Sequence, residues 1–224
     1  VRNAAQAEAV SVENATELKE GLLALSIKAS EQQIAQLLQY LQLLVKWNAS
    51  FNLSGITDIN EMVSVHLLDS VSLSPHLQGE YFVDAGTGAG LPGIPLAILH
   101  PEKHFTLIDS NGKKTRFLFQ VKLALKLQNI VIENCRIEHY QSPRQIDMVM
   151  FRAFSSLEDT VSKTQQLLRK GSKLLAMKGR YPEQEINQLP ADFEVKAIAK
   201  LGIPGSDSQR HVIEIGRIQT NSQE

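Results

Sequence analysis

The sequence predicts an α/β protein: a mostly parallel sheet with helices on both faces, an antiparallel strand pair at its C-terminal edge, and a helical part in front. Three observations predict this. From Tyr81 to Lys178 short apolar runs alternate with amphipathic stretches, the pattern of a parallel sheet whose crossovers are helices. Before Tyr81 apolar residues recur at helical spacing instead. After Lys178 two strand-like runs are joined by GIPGSDSQ, which is too short for a crossover helix and so demands antiparallel pairing.

The 224 residues suit one compact unit with short tails. A flexible N-terminal tail is expected over 1–15, a helical part over 16–79, the α/β domain over 80–218 and a C-terminal tail over 219–224. VRNAAQAEAV (1–10) lacks the basic-then-apolar order of a secretory signal. Ser30-Glu31-Gln32-Gln33 reads as a capping box, and Ile34, Leu37, Leu38, Leu41, Leu44 and Val45 continue it as one apolar stripe. Asn52 to Gly55 breaks that helix. Ile59, Met62, Val63, His66 and Leu67 form the stripe of a second, which Pro75 and Gly79 end. The strands are then YFVDA, HFTLID, NIVIE, IDMVMF and SKLLAMK, with helices from about Leu91, from Gly112 to Leu127, and near 156–169. DFEVKAIAKL and RHVIEIGRI form the final pair.

Composition excludes several classes. No apolar run approaches the ~20 residues of a membrane span. The net charge of −1 gives no global attraction to nucleic acid, so any such contact needs a local patch. One cysteine, Cys135, allows neither an intramolecular disulfide nor a cysteine-rich zinc site. No metal, no membrane, a reducing cytoplasm and a monomer are expected.

FVDAGTGAGLPGIPLAI (82–98) holds four glycines and two prolines. It follows the first strand and opens the first helix, where free N–H groups and the positive dipole end face a ligand. Gly86, Gly88 and Gly90 let that ligand approach the backbone. A dinucleotide loop needs a small residue where Leu91 stands. Asp84, two residues before Gly86, would repel a pyrophosphate but can help fix the cationic amino-acid end of S-adenosylmethionine. Its alternative is a cap on the following turn. Asp109 ends the second strand, 23 residues after Gly86, placed to accept from ribose hydroxyls of either ligand class. The loop thus favours the sulfonium donor, S-adenosyl-L-methionine.

NLSGI (52–56), HLLDS (66–70), DAGTGAGLPGIPLAI (84–98), TLIDSNGKKTRFL (106–118), RIE (136–138), RAF (152–154) and MKG (177–179) occur in this order. Together they resemble the glucose-inhibited division protein B family of ribosomal RNA methyltransferases, over roughly residues 20 to 218. The resemblance implies a class I, Rossmann-like S-adenosylmethionine-dependent methyltransferase fold. It implies methylation of N7 of one guanine in 16S (small-subunit) ribosomal RNA, on the RNA or the small subunit. It implies that Gly86 and Leu91 line the cofactor, that Ile137 and Glu138 border the adenine, and that Arg152 closes the site. Ala85 and Phe151 depart from the family's usual Val and small residue.

Such a transfer needs no acid–base pair, because N7 carries a lone pair and no proton. No such pair is expected; Arg152, at a central strand end, is the candidate for orientation, with a structural ion pair as its alternative. The sequence also lacks N/D-P-P-Y/F after the fourth strand, and Cys135, expected as a small buried hydrophobe, is no candidate nucleophile. Residues 111–126 carry five basic and no acidic residues. Lys113, Lys114 and Arg116 are the expected RNA phosphate contacts. Phe117, Leu118, Val121, Ala124 and Leu125 form its expected buried stripe, and Phe119 and Leu123 are expected against the N-terminal helices, with RNA stacking as the alternative for Phe119. Lys178 and His66 are further RNA-side candidates, each with a packing alternative; Asp69 shares the HLLDS match, and Asn52 either caps the helix break or touches substrate. The rival readings are a methyltransferase of another RNA or of a small molecule and, more distantly, an NAD-dependent oxidoreductase or a noncatalytic RNA-binding module.

Overall fold

The computed structural model describes residues 10–152 and 155–218. Residues 1–9 and 219–224 of the expected tails, and Ala153 and Phe154 of the RAF motif, lie outside the described residues.

The chain opens with helix α1 (Val12–Ala24), which starts inside the segment expected as tail. Its cap is Ser11: the Oγ accepts from Asn14 N–H, and Asn14 Oδ1 accepts from Ser11 N–H at 2.9 Å. Asparagine stands where a capping box usually carries Glu or Gln, which hid the signal. Helix α2 (Glu31–Phe51) starts at the expected Ser30 box and ends on Asn52, in the left-handed region at φ 49°. Helix α3 (Ile59–Met62) runs through a π-helical segment (Val63–Leu68) into α4 (Asp69–Val71).

Seven strands follow: β1 (Tyr81–Ala85), β2 (His104–Ile108), β3 (Ile130–Glu133), β4 (Met148–Arg152), β5 (Lys173–Lys178), β6 (Phe193–Leu201) and β7 (Arg210–Arg217). Their helices are α5 (Gly93–Leu99), α6 (Gly112–Leu125), α7 (Leu157–Thr164) and α8 (Glu183–Asn187). The spatial order is β3-β2-β1-β4-β5-β7-β6. β1 to β5 are parallel, while β7 lies antiparallel between β5 and β6. The expected antiparallel pair is present, with β7 inside and β6 at the edge. Strand order reverses between β1 and β4, the switch point at which open α/β sheets bind ligands beyond their carboxyl ends.

Period-two alternation sorts the strands onto two cores. Phe82, Met148, Met150, Leu175 and Met177 face the layer that contains α2, α5 and α6. Val83, Ala85, Val149, Phe151, Leu174 and Ala176 face α7. The same parity puts Arg152 on the side of the N-terminal helices and Lys178 on the side of α7 and α8. Leu37, Tyr40 and Leu41 of α2 belong to the same buried cluster as Phe82 and Phe105.

Helix α6 departs from the expected stripe. Ala124 is exposed, and Phe119 and Leu123 are 48% and 71% exposed, so neither packs on the N-terminal helices. The contact runs through Phe117, whose ring centroid lies 5.8 Å from Trp47 and 6.3 Å from Tyr40. Phe119 is two residues on, about 200° around the helix from Phe117, which turns it outward.

Candidate active site

The glycine loop bridges β1 and α5. Gly86, Gly88 and Gly90 all have positive φ, but their surroundings differ. A Cβ on Gly86 would meet no atom within 4 Å. A Cβ on Gly90 would fall 2.5 Å from Ile94 Cγ1 and 2.8 Å from Leu118 Cδ2. Gly86 therefore keeps space open, whereas Gly90 permits close packing and lines neither cavity described below. Gly88 donates its N–H to Asp109 Oδ2 at 3.0 Å.

Two cavities meet at Gly86. One, about 400 Å³, is lined by Ala85, Asp109, Ser110, Asn111, Lys114, Cys135, Ile137, Glu138 and Phe151, among others. The second, about 490 Å³, is lined by Leu53 to Ile56, Val65, His66, Asp69, Thr87 to Ala89, Leu91, Arg152, Met177 to Gly179 and Arg210. Of the residues expected at the cofactor, Asp109, Ile137 and Glu138 fall in the first, Leu91, Gly88 and Arg152 in the second, and Gly86 in both.

Asp84 is fully buried and lines neither cavity. Its Oδ2 accepts from Thr87 Oγ1 at 2.6 Å and Gly93 N–H at 2.8 Å. Through Oδ2 it acts as a brace across the loop, the capping alternative, while its Oδ1 is buried with no hydrogen-bond partner among the described residues. Burial pushes its pKa up to about 6, against the Thr87 and Gly93 bonds and the charge of Arg152.

Asp109 accepts from Gly88 and, through Oδ1, from Asn111 N–H at 2.8 Å. Lys114 Nζ lies 3.7 Å from its Oδ2. Lys114, expected on RNA, thus belongs to the first cavity, while Lys113 and Arg116 are exposed on the same helix. Two lysines in the first turn oppose the helix dipole, and Asp109 offsets that cost for one of them. Cys135, expected as a core residue, is only half-buried and lines this cavity; burial and the neighbouring Glu133 push its thiol pKa up.

In the second cavity Arg152 Nη1 donates to Val65 O at 3.0 Å, in the π-helical segment, and to Asp69 Oδ2 at 3.1 Å. Arg210 Nε donates to Asp69 Oδ1 at 2.7 Å. The buried carboxylate of Asp69 thus holds two guanidinium groups against the cavity and leaves one net positive charge. Arg152 adopts the ion-pair alternative and still lines the cavity. Arg210 was missed by sequence reading, because β7 reads as an ordinary edge strand.

His66 is buried, and its Nε2 pairs with Ser54 Oγ at 2.8 Å. Burial first, and the Arg152 charge second, push its pKa down to about 4, so it is neutral at pH 7. Lys178 donates to Glu185 Oε2 at 2.7 Å and Ser155 O at 2.6 Å. Its charge is spent on tying α8 to the loop after β4, the packing alternative. Asn52 caps α2 and is exposed.

Among the described residues no helix is long and apolar enough to cross a membrane, and no group of His, Cys, Asp and Glu is placed to hold a metal ion.

Comparison with known proteins agrees with this architecture. The family model described as rRNA small subunit methyltransferase G matches residues 33–213. A protein of Ectopseudomonas mendocina named ribosomal RNA small subunit methyltransferase G is 49% identical over 93% of this chain and 98% of its own. Among solved structures, a Streptococcus agalactiae protein of the NADB-Rossmann superfamily aligns at TM-score 0.57 and 12% identity, over 68% of this chain and 69% of its own. A Thermotoga maritima S-adenosylmethionine-dependent O-methyltransferase aligns at TM-score 0.52 and 13% identity, over 75% and 72%. At those identities the structures speak to the fold alone: Rossmann-like, of the class I methyltransferase kind. With a family model spanning most of its length and a near full-length relative at 49% identity, the chain belongs to the rRNA small subunit methyltransferase G family.

Proposed function

We propose that this protein transfers the methyl group of S-adenosylmethionine to N7 of a guanine in 16S ribosomal RNA. One observation carries the reading: a cavity with a carboxylate and apolar walls meets a cavity with two arginines at Gly86, where the backbone carries no side chain. The donor set fits a nucleoside joined to an amino acid. Asp109 would receive the ribose hydroxyls, Ile137 and Glu138 would border the base, and Gly86, Leu91 and Arg152 would flank the amino-acid end. The bound donor supplies an electrophilic methyl group on a cationic sulfur, with a neutral thioether as leaving group.

The protein's task is then to orient and to exclude water, which can be worth ~7–11 kcal/mol of barrier in favourable cases. Among the described residues of the second cavity the titratable side chains are His66, Asp69, Arg152, Lys178 and Arg210, and each is engaged by another protein group. That suits a nucleophile that carries no proton to remove. The net positive charge around Asp69 suits an anionic group, and Lys113 and Arg116 offer phosphate contacts on the adjoining helix.

Methyl-labelled donor incubated with small subunits or their RNA tests this. Label in the RNA that becomes cleavable after reduction and aniline treatment is the expected result. Label confined to small molecules, or RNA resistant to that cleavage, overturns it.

A further inference from the structure

The sequence reading left the aromatic residues at the end of α2 without a role. They form a ladder that starts at the glycine loop. Tyr40 donates its O–H to Ala89 O at 2.8 Å. Its ring neighbours Phe117, Phe117 neighbours Trp47, and Trp47 lies 5.2 Å from Phe51 at an interplanar angle of 31°. Tyr40 and Phe117 are fully buried, Trp47 is half-buried, and Phe51 is 41% exposed. The ladder therefore ends on an aromatic ring offered to solvent and braced from beneath.

Phe51 precedes the wall of the second cavity by two residues in the chain. The left-handed turn at Asn52 leads directly into Leu53 to Ile56, which line the cavity wall. Asn48, one turn before Asn52, locks the two together. Its Nδ2 donates to Ser54 O at 3.0 Å, and its Oδ1 accepts from Ser54 N–H at 2.8 Å. A core aromatic would be covered; a solvating helix end would be polar. From Gln32 to Thr57 the only charged residue is Lys46, so no carboxylate on this segment repels a polyanion.

We propose that Phe51, braced by Trp47, is a stacking platform for a base of single-stranded RNA that flanks the nucleotide held in the second cavity. This rests on the function proposed above. An aromatic face attracts any unstacked base regardless of sequence, and a platform fixed to the cavity wall would set the register of the strand.

Trp47 is the single tryptophan of the chain, so its fluorescence reports on this place alone. Titration of the protein with small-subunit RNA should quench it. Phe51→Ala should raise the KM for RNA, roughly 5- to 150-fold by the usual worth of one stacked base, and Phe51→Tyr should restore most of it. Phe119→Ala, an exposed ring on the opposite side of α6, should leave that KM in place. Calorimetric binding of S-adenosylmethionine by Phe51→Ala at wild-type affinity would show that the variant is folded. A KM unchanged in Phe51→Ala, no recovery in Phe51→Tyr, or a loss confined to Phe119→Ala overturns the platform. So does a dimer in sedimentation that Phe51→Ala dissolves, since the ring then faces a second copy. Should the unaltered protein methylate no RNA, the parent reading falls; should it methylate RNA and Phe51→Ala match it, the platform alone falls.

Discussion

Alanine at Gly86 and at Gly90 should produce opposite phenotypes, although the two positions are four residues apart in one loop. Both have left-handed backbone, at φ 66° and 95°, which costs an L-residue ~1–2 kcal/mol. At Gly86 nothing else is added to the folding cost, because the new methyl group points into open space. That space is where the two cavities meet, so the methyl displaces ligand. Overpacking by one methylene or so costs ~1–3 kcal/mol, which is roughly a 5- to 150-fold loss of affinity. At Gly90 the methyl collides with Ile94 and Leu118 inside the core. The two costs sum to ~2–5 kcal/mol of stability, or about 4–20 °C in Tm for a chain of this size. Thermal unfolding and calorimetric titration with S-adenosylmethionine separate the two. Gly86→Ala should bind weakly and melt about 2–8 °C below the wild type, the backbone cost alone; Gly90→Ala should melt earlier still. A Gly86→Ala variant with native affinity refutes the placement of the donor. A Gly90→Ala variant that melts no earlier than Gly86→Ala refutes the packing argument.

Removing Asp69 as Asp69→Ala strands two guanidinium groups that it now pairs, and should cost ~3–5 kcal/mol in urea unfolding; a loss under 1 kcal/mol, well short of that ~3–5 kcal/mol range, would show the groups to be solvated. His66 titrates with a folded pKa of about 4, below its ordinary value. Its stability contribution is therefore complete above about pH 6.5 and is lost as the pH falls towards 4; from pH 7 to pH 5 the wild type should lose about 2 kcal/mol relative to His66→Gln. Asp84, raised to about 6, works in the opposite sense, since acid relieves its buried charge. The comparison with His66→Gln at both pH values cancels that term, and equal slopes for the two proteins would refute the burial argument. Replacing Lys113 and Arg116 together by alanine should flatten the salt dependence of RNA binding by between about one and two in log–log slope, with donor affinity retained; an unchanged slope would place the RNA elsewhere.

Much of this was legible in the chain. Every strand from Tyr81 onward lies within a few residues of its expected place, because period-two burial is a local property of five or six neighbouring residues. The same parity points Arg152 at the N-terminal helices and Lys178 away from them. Glycine where φ must be positive is local too. What a side chain meets is a different matter. Arg152 and Arg210 reach Asp69 across 83 and 141 residues, and no spacing encodes such a meeting. Lys114, an expected RNA phosphate contact, lies 3.7 Å from Asp109 in the first cavity. Asp84 braces the loop through Thr87 and Gly93 N–H, partners that its place before the glycines does not announce. Gly90 was read with Gly86 until Leu118 filled its side. Backbone pattern follows from short-range sterics and burial; the fate of a charge or a glycine depends on which distant atoms arrive within about 4 Å of it, and only packing in three dimensions decides that.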